Sequence, residues 1–476
     1  MSKKFKATFV DFSNSFLDRH AIYCLSAYLK DNGVEIDYVN QGNFSKAILI
    51  LKQIKPDILL YSAFSSDIPR FVEFDKLVKK ELGIKSIIGG PGPTFDWKVF
   101  KNSGSTIDAL CVGEGEYALL DFIKNGFSSS KNIITGNQNN LPSGYCPFVD
   151  LDRVSFPDRE LVYKNDYVLR NMPSKQFLAG RGCPYMCTYC HNNILNKMFK
   201  SCGATIRKKS VDYLLEEIKD VKHRYPLKLV VFQDDTFILK KDWLLEFCER
   251  FPKEVGLSYT CNIRANLIDE QTIKILKESN CACIYWSIES GADSIRNNLL
   301  KRYMSREQIL GTGRLLEKYK IPHRCGGIIG LPGEKFKEML ETLELNIEIK
   351  PEFGFASIFV PFPGLELTNY ALEHDYLSEE SLNNLPKNTH MHSVLNFTPE
   401  EKLKIQKLTY LYPIFVNYPK LYYNRRVRDL LFGLPAGVLH VFFNIYCGYK
   451  QSKLYKVKAP LLLKIAIVWR YLKNPF

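Results

Sequence analysis

Three thiols stand at C-x3-C-x2-C spacing in Arg181-Gly182-Cys183-Pro184-Tyr185-Met186-Cys187-Thr188-Tyr189-Cys190-His191. Soft thiolates suit iron–sulfur clusters, and a short loop that contains glycine lets all three turn onto one compact cube. Cys183, Cys187 and Cys190 would hold three irons of a [4Fe-4S] cluster. The fourth iron then keeps an open position for a substrate or cofactor.

Two other chemistries share these residues. Cys187-Thr188-Tyr189-Cys190-His191 fits the C-x-x-C-H pattern of covalent haem attachment. That reaction belongs to exported proteins, and the basic start followed by residues 7–12, interrupted by Asp11, reads as a first strand rather than a signal peptide. A structural zinc ion would need a fourth ligand, for which His191 is within sequence reach.

Residues 175–372 read as alternating strand and helix, the kind of frame that positions such a loop. Residues 176–181 lead into the cysteines, and later strands read at 228–234, 257–264, 281–289, 324–330 and 354–362. Six such units make a partial barrel whose chemistry lies at the C-terminal strand ends. Polar residues gather there: Gln233-Asp234-Asp235, Arg264, Ser287-Ile288-Glu289-Ser290-Gly291, Gly330-Leu331-Pro332-Gly333-Glu334 and Pro361-Phe362-Pro363-Gly364. Taken singly, each is also ordinary turn or helix-cap chemistry.

The cysteine loop, with an aromatic residue (Tyr189) just before the third cysteine, and the ordered strand ends resemble the radical SAM superfamily. The resemblance implies that the open iron chelates S-adenosylmethionine and that one electron cleaves it to a 5′-deoxyadenosyl radical. It implies further that Asp234 and Asp235 accept from the amino group and that Arg264 pairs with the methionine carboxylate. Glu289 would accept from the ribose hydroxyls beside Ser290 and Gly291, Gly330 would pass near adenine, and Pro361 would mark the sixth strand end.

Residues 1–125 also alternate, with strands at 7–11, 34–39, 57–62, 86–89 and 109–112 and helices such as 17–30 and 67–82. Five such strands suggest a doubly wound parallel sheet, which binds ligands beyond its carboxyl strand ends. Those ends carry Ser62 and Ser65, then Gly89 and Gly90, then Gly113 and Glu114. The arrangement resembles the cobalamin-binding domain that precedes many radical SAM domains, with those residues as implied contacts. Tyr23 stands where the glycine of a D-x-H-x-x-G pattern would follow Asp18 and His20. Cobalamin is therefore expected without a protein ligand on its lower face.

The fold class is thus α/β, expected as a cobalamin-binding-like domain (1–140), a linker (141–172), a radical SAM domain (173–372) and a basic, aromatic helical C-terminal region (373–476). The chain has 476 residues and net charge +14. Residues 401–476 hold fourteen Lys or Arg against Glu401 and Asp429, a net +12, so a polyanionic partner should meet this tail. Its Tyr410, Tyr412, Tyr418, Tyr422 and Tyr423, the uncharged residues 430–449, and the basic flanks Lys456 and Lys458 leave three readings open. These are an anionic membrane surface or lipid-linked substrate, a cap over the barrel, and nucleic acid as the least favoured. Thirteen scattered cysteines suit a reducing cytoplasm, with a seat at the inner face of the membrane under the first reading.

Together the resemblances imply a cobalamin-dependent methylase acting on an unactivated carbon of a small-molecule or lipid-linked substrate, reduced by a flavodoxin- or ferredoxin-type donor. Two alternatives stay open: a radical cyclase or rearrangement enzyme that uses or merely retains the cobalamin domain, and a non-catalytic cobalamin or redox sensor.

Overall fold

Short apolar runs separated by amphipathic stretches produce two six-stranded, mainly parallel sheets, each the centre of its own compact unit. The computed structural model describes residues 4–473 except 103, 129, 137–141, 143, 383–384, 387–388 and 456–459. Residues 137–140 at the end of the first expected domain, residues 141 and 143 of the linker, and the flanking Lys456 and Lys458 fall outside the described residues.

In the first unit, β1 (Lys6–Asp11), β2 (Glu35–Asn40), β3 (Ile58–Ser62), β4 (Lys85–Gly89) and β5 (Ala109–Cys111) run parallel in the order 2-1-3-4-5. The sequence did not signal β6 (Ile133–Thr135), three residues long and paired antiparallel to β5. Apolar side chains on both faces bury the sheet, among them Phe9, Leu59, Ile88 and Leu110, as a parallel sheet covered by helices requires. The strand order reverses between β1 and β3, so the crevice for a ligand opens between the loops that follow those two strands.

In the second unit, β7 (Ser174–Phe177), β8 (Leu229–Phe232), β9 (Ser258–Asn262), β10 (Cys281–Glu289), β11 (His323–Ile329) and β12 (Phe353–Ile358) pair in sequence order, all parallel. This is the open (β/α)6 arrangement. Ser210 caps the helix Val211–Arg224 by accepting from Tyr213 N, and Asp269 caps Glu270–Glu278 by accepting from Thr272 N. Such caps satisfy amides that have no partner inside the helix.

The C-terminal region is not one element. Helix Pro399–Asn417 begins with a capping box between Thr398 and Glu401 and packs on β12, with Leu408, Tyr412 and Phe415 fully buried. Helix Leu461–Lys473 instead belongs to the first unit, where Arg470 forms a bidentate pair with Asp166 at 2.9 and 3.0 Å and donates to the carbonyls of Asn14 and Ser15. The expected region 373–476 thus has helices in both units. Tyr410, Tyr412 and Tyr422 are buried core residues, which removes them as stacking platforms for nucleic acid; Tyr418 and Tyr423 remain exposed.

Candidate active site at the cysteine loop

The loop between β7 and helix His191–Met198 is held at both ends. Gly182 takes φ +89°, a turn that side-chain-bearing residues resist. Thr188 bonds twice to the segment after β10, its N–H donating to Leu300 O at 3.2 Å and its hydroxyl to Leu299 O at 2.7 Å. Asn193 donates to Met186 O at 3.2 Å and to Glu366 at 3.0 Å. A loop tied this way presents its thiols with little freedom.

Polar groups surround the sulfurs. Asn192 Nδ2 lies 3.7 Å from Cys190 Sγ, Arg264 Nη1 3.6 Å from Cys187 Sγ, and the Thr236 hydroxyl 3.9 Å from Cys183 Sγ. Burial pushes the Cys190 thiol up to about 11 and raises that of Cys183. Metal ions, which bind thiolate, must therefore displace protons here. Among the described residues no group of three or more His, Cys, Asp or Glu converges on a single-ion site. The three thiols and their sulfur-directed donors fit a larger inorganic cluster better than a zinc ion.

A network of charged and hydroxyl groups joins this loop to β10. The Tyr189 hydroxyl donates to Glu289 Oε1 at 2.9 Å, and Ser287 Oγ donates to Glu289 Oε2 at 2.6 Å. Arg302 donates to the Tyr189 oxygen at 3.0 Å and to Ser287 O at 2.9 Å, and its guanidinium lies 3.5 Å from Glu289. Burial, then the charge of Glu289, raises the Tyr189 phenol well above its ordinary value, against the opposing pull of Arg302. Tyr189 therefore remains a donor. Glu289 itself sits at φ +62°, beside a register shift, and such strained backbone is retained where a side chain has to be aimed.

The acidic pair after β8 splits into two roles. Asp234 is buried, accepts from Ala179 N at 2.8 Å and pairs with buried Lys208 at 2.7 Å, so both its oxygens are engaged inside the protein. Its two oxygens already serve the fold, one on a backbone amide and one on Lys208. Asp235 is the carboxylate whose charge reaches Cys183 and Cys190, and burial raises its proton affinity. Arg264 stacks on the Tyr185 ring at 3.8 Å and donates to Asn266 at 2.8 Å and to the carbonyl of Arg302.

Other expectations also change. Ser290 is fully buried, its carbonyl accepting from Arg296 at 2.9 Å, and Gly291 lies so close to helix Phe336–Ile349 that a Cβ would stand 2.2 Å from Glu341 O. Both residues are held in the packing behind Glu289. Gly330 takes φ +70° beside Ile358 and Ile405, and Pro361 is buried next to Phe362, whose ring lies 5.6 Å from that of His191.

In the first unit, Ser62 ends β3 and Ser65 follows it at the switch point, while Gly89 ends β4 and Gly90 follows it; all four keep partial exposure. Gly90, at φ +100°, packs on the Ala63 backbone, where a Cβ would meet its carbonyl at 2.9 Å. The end of β5 is different. Gly113 lies under the Phe199 ring, and the Glu114 carboxylate pairs with Arg207, which in turn lies over Phe148. Both residues thus take part in packing at this strand end. Ser62, Ser65, Gly89 and Gly90 thus leave small, accessible surface at the ends of β3 and β4.

Sequence reasoning missed Arg302, Asn192 and Thr236, and named Ser287 only as part of its strand end. Arg302 had no periodic signal: Lys301 and Tyr303 both take φ +49°, and this irregular backbone is what turns the guanidinium inward.

Known proteins share this arrangement. The B12 binding domain profile matches residues 16–123 and the Radical SAM superfamily profile residues 177–345. The chain carries a B12 binding domain followed by a radical SAM domain. An uncharacterized methyltransferase of Pyrococcus horikoshii is 26% identical over 381 residues, covering 77% of this chain and 81% of that protein. The anaerobic magnesium-protoporphyrin IX monomethyl ester cyclase of Rubrivivax gelatinosus is 24% identical over 332 residues, covering 66% and 58%. Two solved structures share the fold at 14% identity. The cobalamin-dependent S-adenosylmethionine radical enzyme OxsB gives a TM-score of 0.70 over 99% of this chain and 75% of its own. The radical S-adenosylmethionine methyltransferase TsrM from Kitasatospora setae gives 0.61 over 78% and 76%. The cofactors of the radical SAM and B12 binding domains are a [4Fe-4S] cluster, S-adenosylmethionine and cobalamin.

Proposed function

We propose that this chain is a cobalamin-dependent radical SAM methyltransferase that alkylates an unactivated carbon. The observation that carries the reading is the anchored three-thiol loop at the C-terminal ends of a six-stranded parallel sheet, in a chain that also has a B12 binding domain. When bound, the cluster supplies the electron that cleaves S-adenosylmethionine, and cobalamin supplies the methyl carrier. The protein's part is positioning. Asp235 offers a carboxylate for an ammonium group, Arg264 a fixed guanidinium for a carboxylate, and Glu289, aimed by Tyr189, Ser287 and Arg302, an acceptor for paired hydroxyls.

A flavodoxin- or ferredoxin-type protein fits the need for a low-potential electron. A small-molecule or lipid-linked substrate and a peripheral seat at the inner face of the membrane go with the basic, apolar C-terminal region. The test is anaerobic turnover with added cobalamin. Methyl transfer yields S-adenosylhomocysteine, and replacing Cys183, Cys187 or Cys190 by alanine abolishes it. Formation of 5′-deoxyadenosine without S-adenosylhomocysteine would instead favour cyclisation or rearrangement, and no cleavage at all would leave a sensor.

A further inference from the structure

We propose that the outward face of helix Ala436–Tyr455 docks on an anionic membrane surface, a surface-level form of the peripheral seat proposed above that rests on it. Over residues 436–449 the helix carries no charged side chain. Its inner side is used, because Leu439 and Phe443 are buried in the same core as Leu408 and Tyr412. Its outer side carries Val438, Val441, Phe442, Ile445 and Tyr449, all exposed and spaced as one helical stripe. An uncovered apolar stripe of this length marks an interaction surface.

Charge selects the occupant. Between residues 419 and 455 six Lys or Arg accompany Asp429 as the sole acid. Arg425, Arg426 and Lys453 are exposed. A second copy of the chain in a two-fold contact would set this basic rim against itself. A layer of anionic headgroups neutralises it, with Tyr449 at the level where amphipathic rings settle.

Geometry selects the mode. No single described helix is long and apolar enough to cross a membrane, and Arg425–Gly433 with Ala436–Leu454 passes only as a pair bent by 108°. With its inner side in the protein core, the helix lies along an interface rather than through a bilayer. In the other unit, helix Leu461–Lys473 repeats the pattern by itself: Leu463 is buried, while Leu462, Ile465 and Trp469 are exposed beside Lys464.

The test is co-sedimentation of the cluster-loaded, full-length protein with phosphatidylcholine vesicles, with and without phosphatidylglycerol. The protein should pellet with the anionic vesicles and be released by high salt. The double variant Phe442→Ser, Ile445→Ser and the double variant Arg425→Gln, Arg426→Gln should each lose affinity by roughly tenfold, with unchanged melting temperature. No enrichment on anionic vesicles, or equal binding to neutral ones, would overturn the proposal. So would a dimer in analytical ultracentrifugation that Ile445→Ser dissolves. Cleavage of S-adenosylmethionine in vesicle-free buffer reads the catalytic proposal separately, so either can fail while the other stands.

Discussion

Tyr189 and Glu289, one hundred residues apart in the chain, meet in a 2.9 Å hydrogen bond that joins the cysteine loop to the end of β10. The bond makes one residue's position depend on the other's. Tyr189→Phe should leave the cluster assembled, with an unaltered visible spectrum. It should weaken binding of S-adenosylmethionine by roughly tenfold, as expected for losing a hydrogen bond to a charged group. Isothermal titration of the reconstituted protein measures this, and unchanged affinity would detach Glu289 from the binding role.

The two neighbouring aspartates should separate experimentally. Asp234→Asn breaks a buried pair with Lys208 and should destabilise the fold by on the order of 3 kcal/mol. Asp235→Asn should barely move the melting temperature yet weaken nucleoside binding. Thermal melts alongside binding assays test both.

Gly291 is required by a close approach rather than by ligand contact. Gly291→Ala places a methyl group 2.2 Å from Glu341 O and should cost at least about 2 kcal/mol in a chemical denaturation series. Gly437→Ala, with no neighbouring atom within 4 Å and a helical position, should be neutral or slightly stabilising.

Glu334 closes the Gly330-Leu331-Pro332-Gly333-Glu334 turn by accepting from Leu331 N at 3.0 Å, and burial pushes its carboxyl up to about 8. The folded state therefore holds a proton that the unfolded chain releases near pH 4.5. Stability falls as pH rises from there to about 8 and is unaffected by this group beyond, at about 1.4 kcal/mol per pH unit. Glu334→Gln keeps the acceptor and removes the titration. Its melting temperature relative to wild type should climb between pH 5 and 8 and then level, and a gap independent of pH would refute the assignment.

Much of this was legible in the sequence, for separable reasons. The strands of both sheets show because buried parallel strands are continuous apolar runs, and 281–289 matches β10 end to end. The cysteines show because their spacing is short-range. Arg302 and Lys208 did not, because the spacing of a basic residue does not reveal which carboxylate the fold sets against it. Nor could sequence foresee that Phe199 and Arg207 occupy the end of β5, since that packing comes from a segment beyond the cysteines. The tail misled in a similar way: Tyr412 and Tyr422 look like surface aromatics among lysines and arginines until the fold buries them.

The central claim is that Cys183, Cys187 and Cys190 hold a cluster with one iron open to S-adenosylmethionine. Electron paramagnetic resonance of the reduced, anaerobically reconstituted protein tests it most directly. The account predicts a [4Fe-4S]+ signal whose g-values shift when S-adenosylmethionine is added, and no such signal in Cys187→Ala. A reconstituted protein without that signal, or a signal that S-adenosylmethionine leaves unchanged, would contradict it.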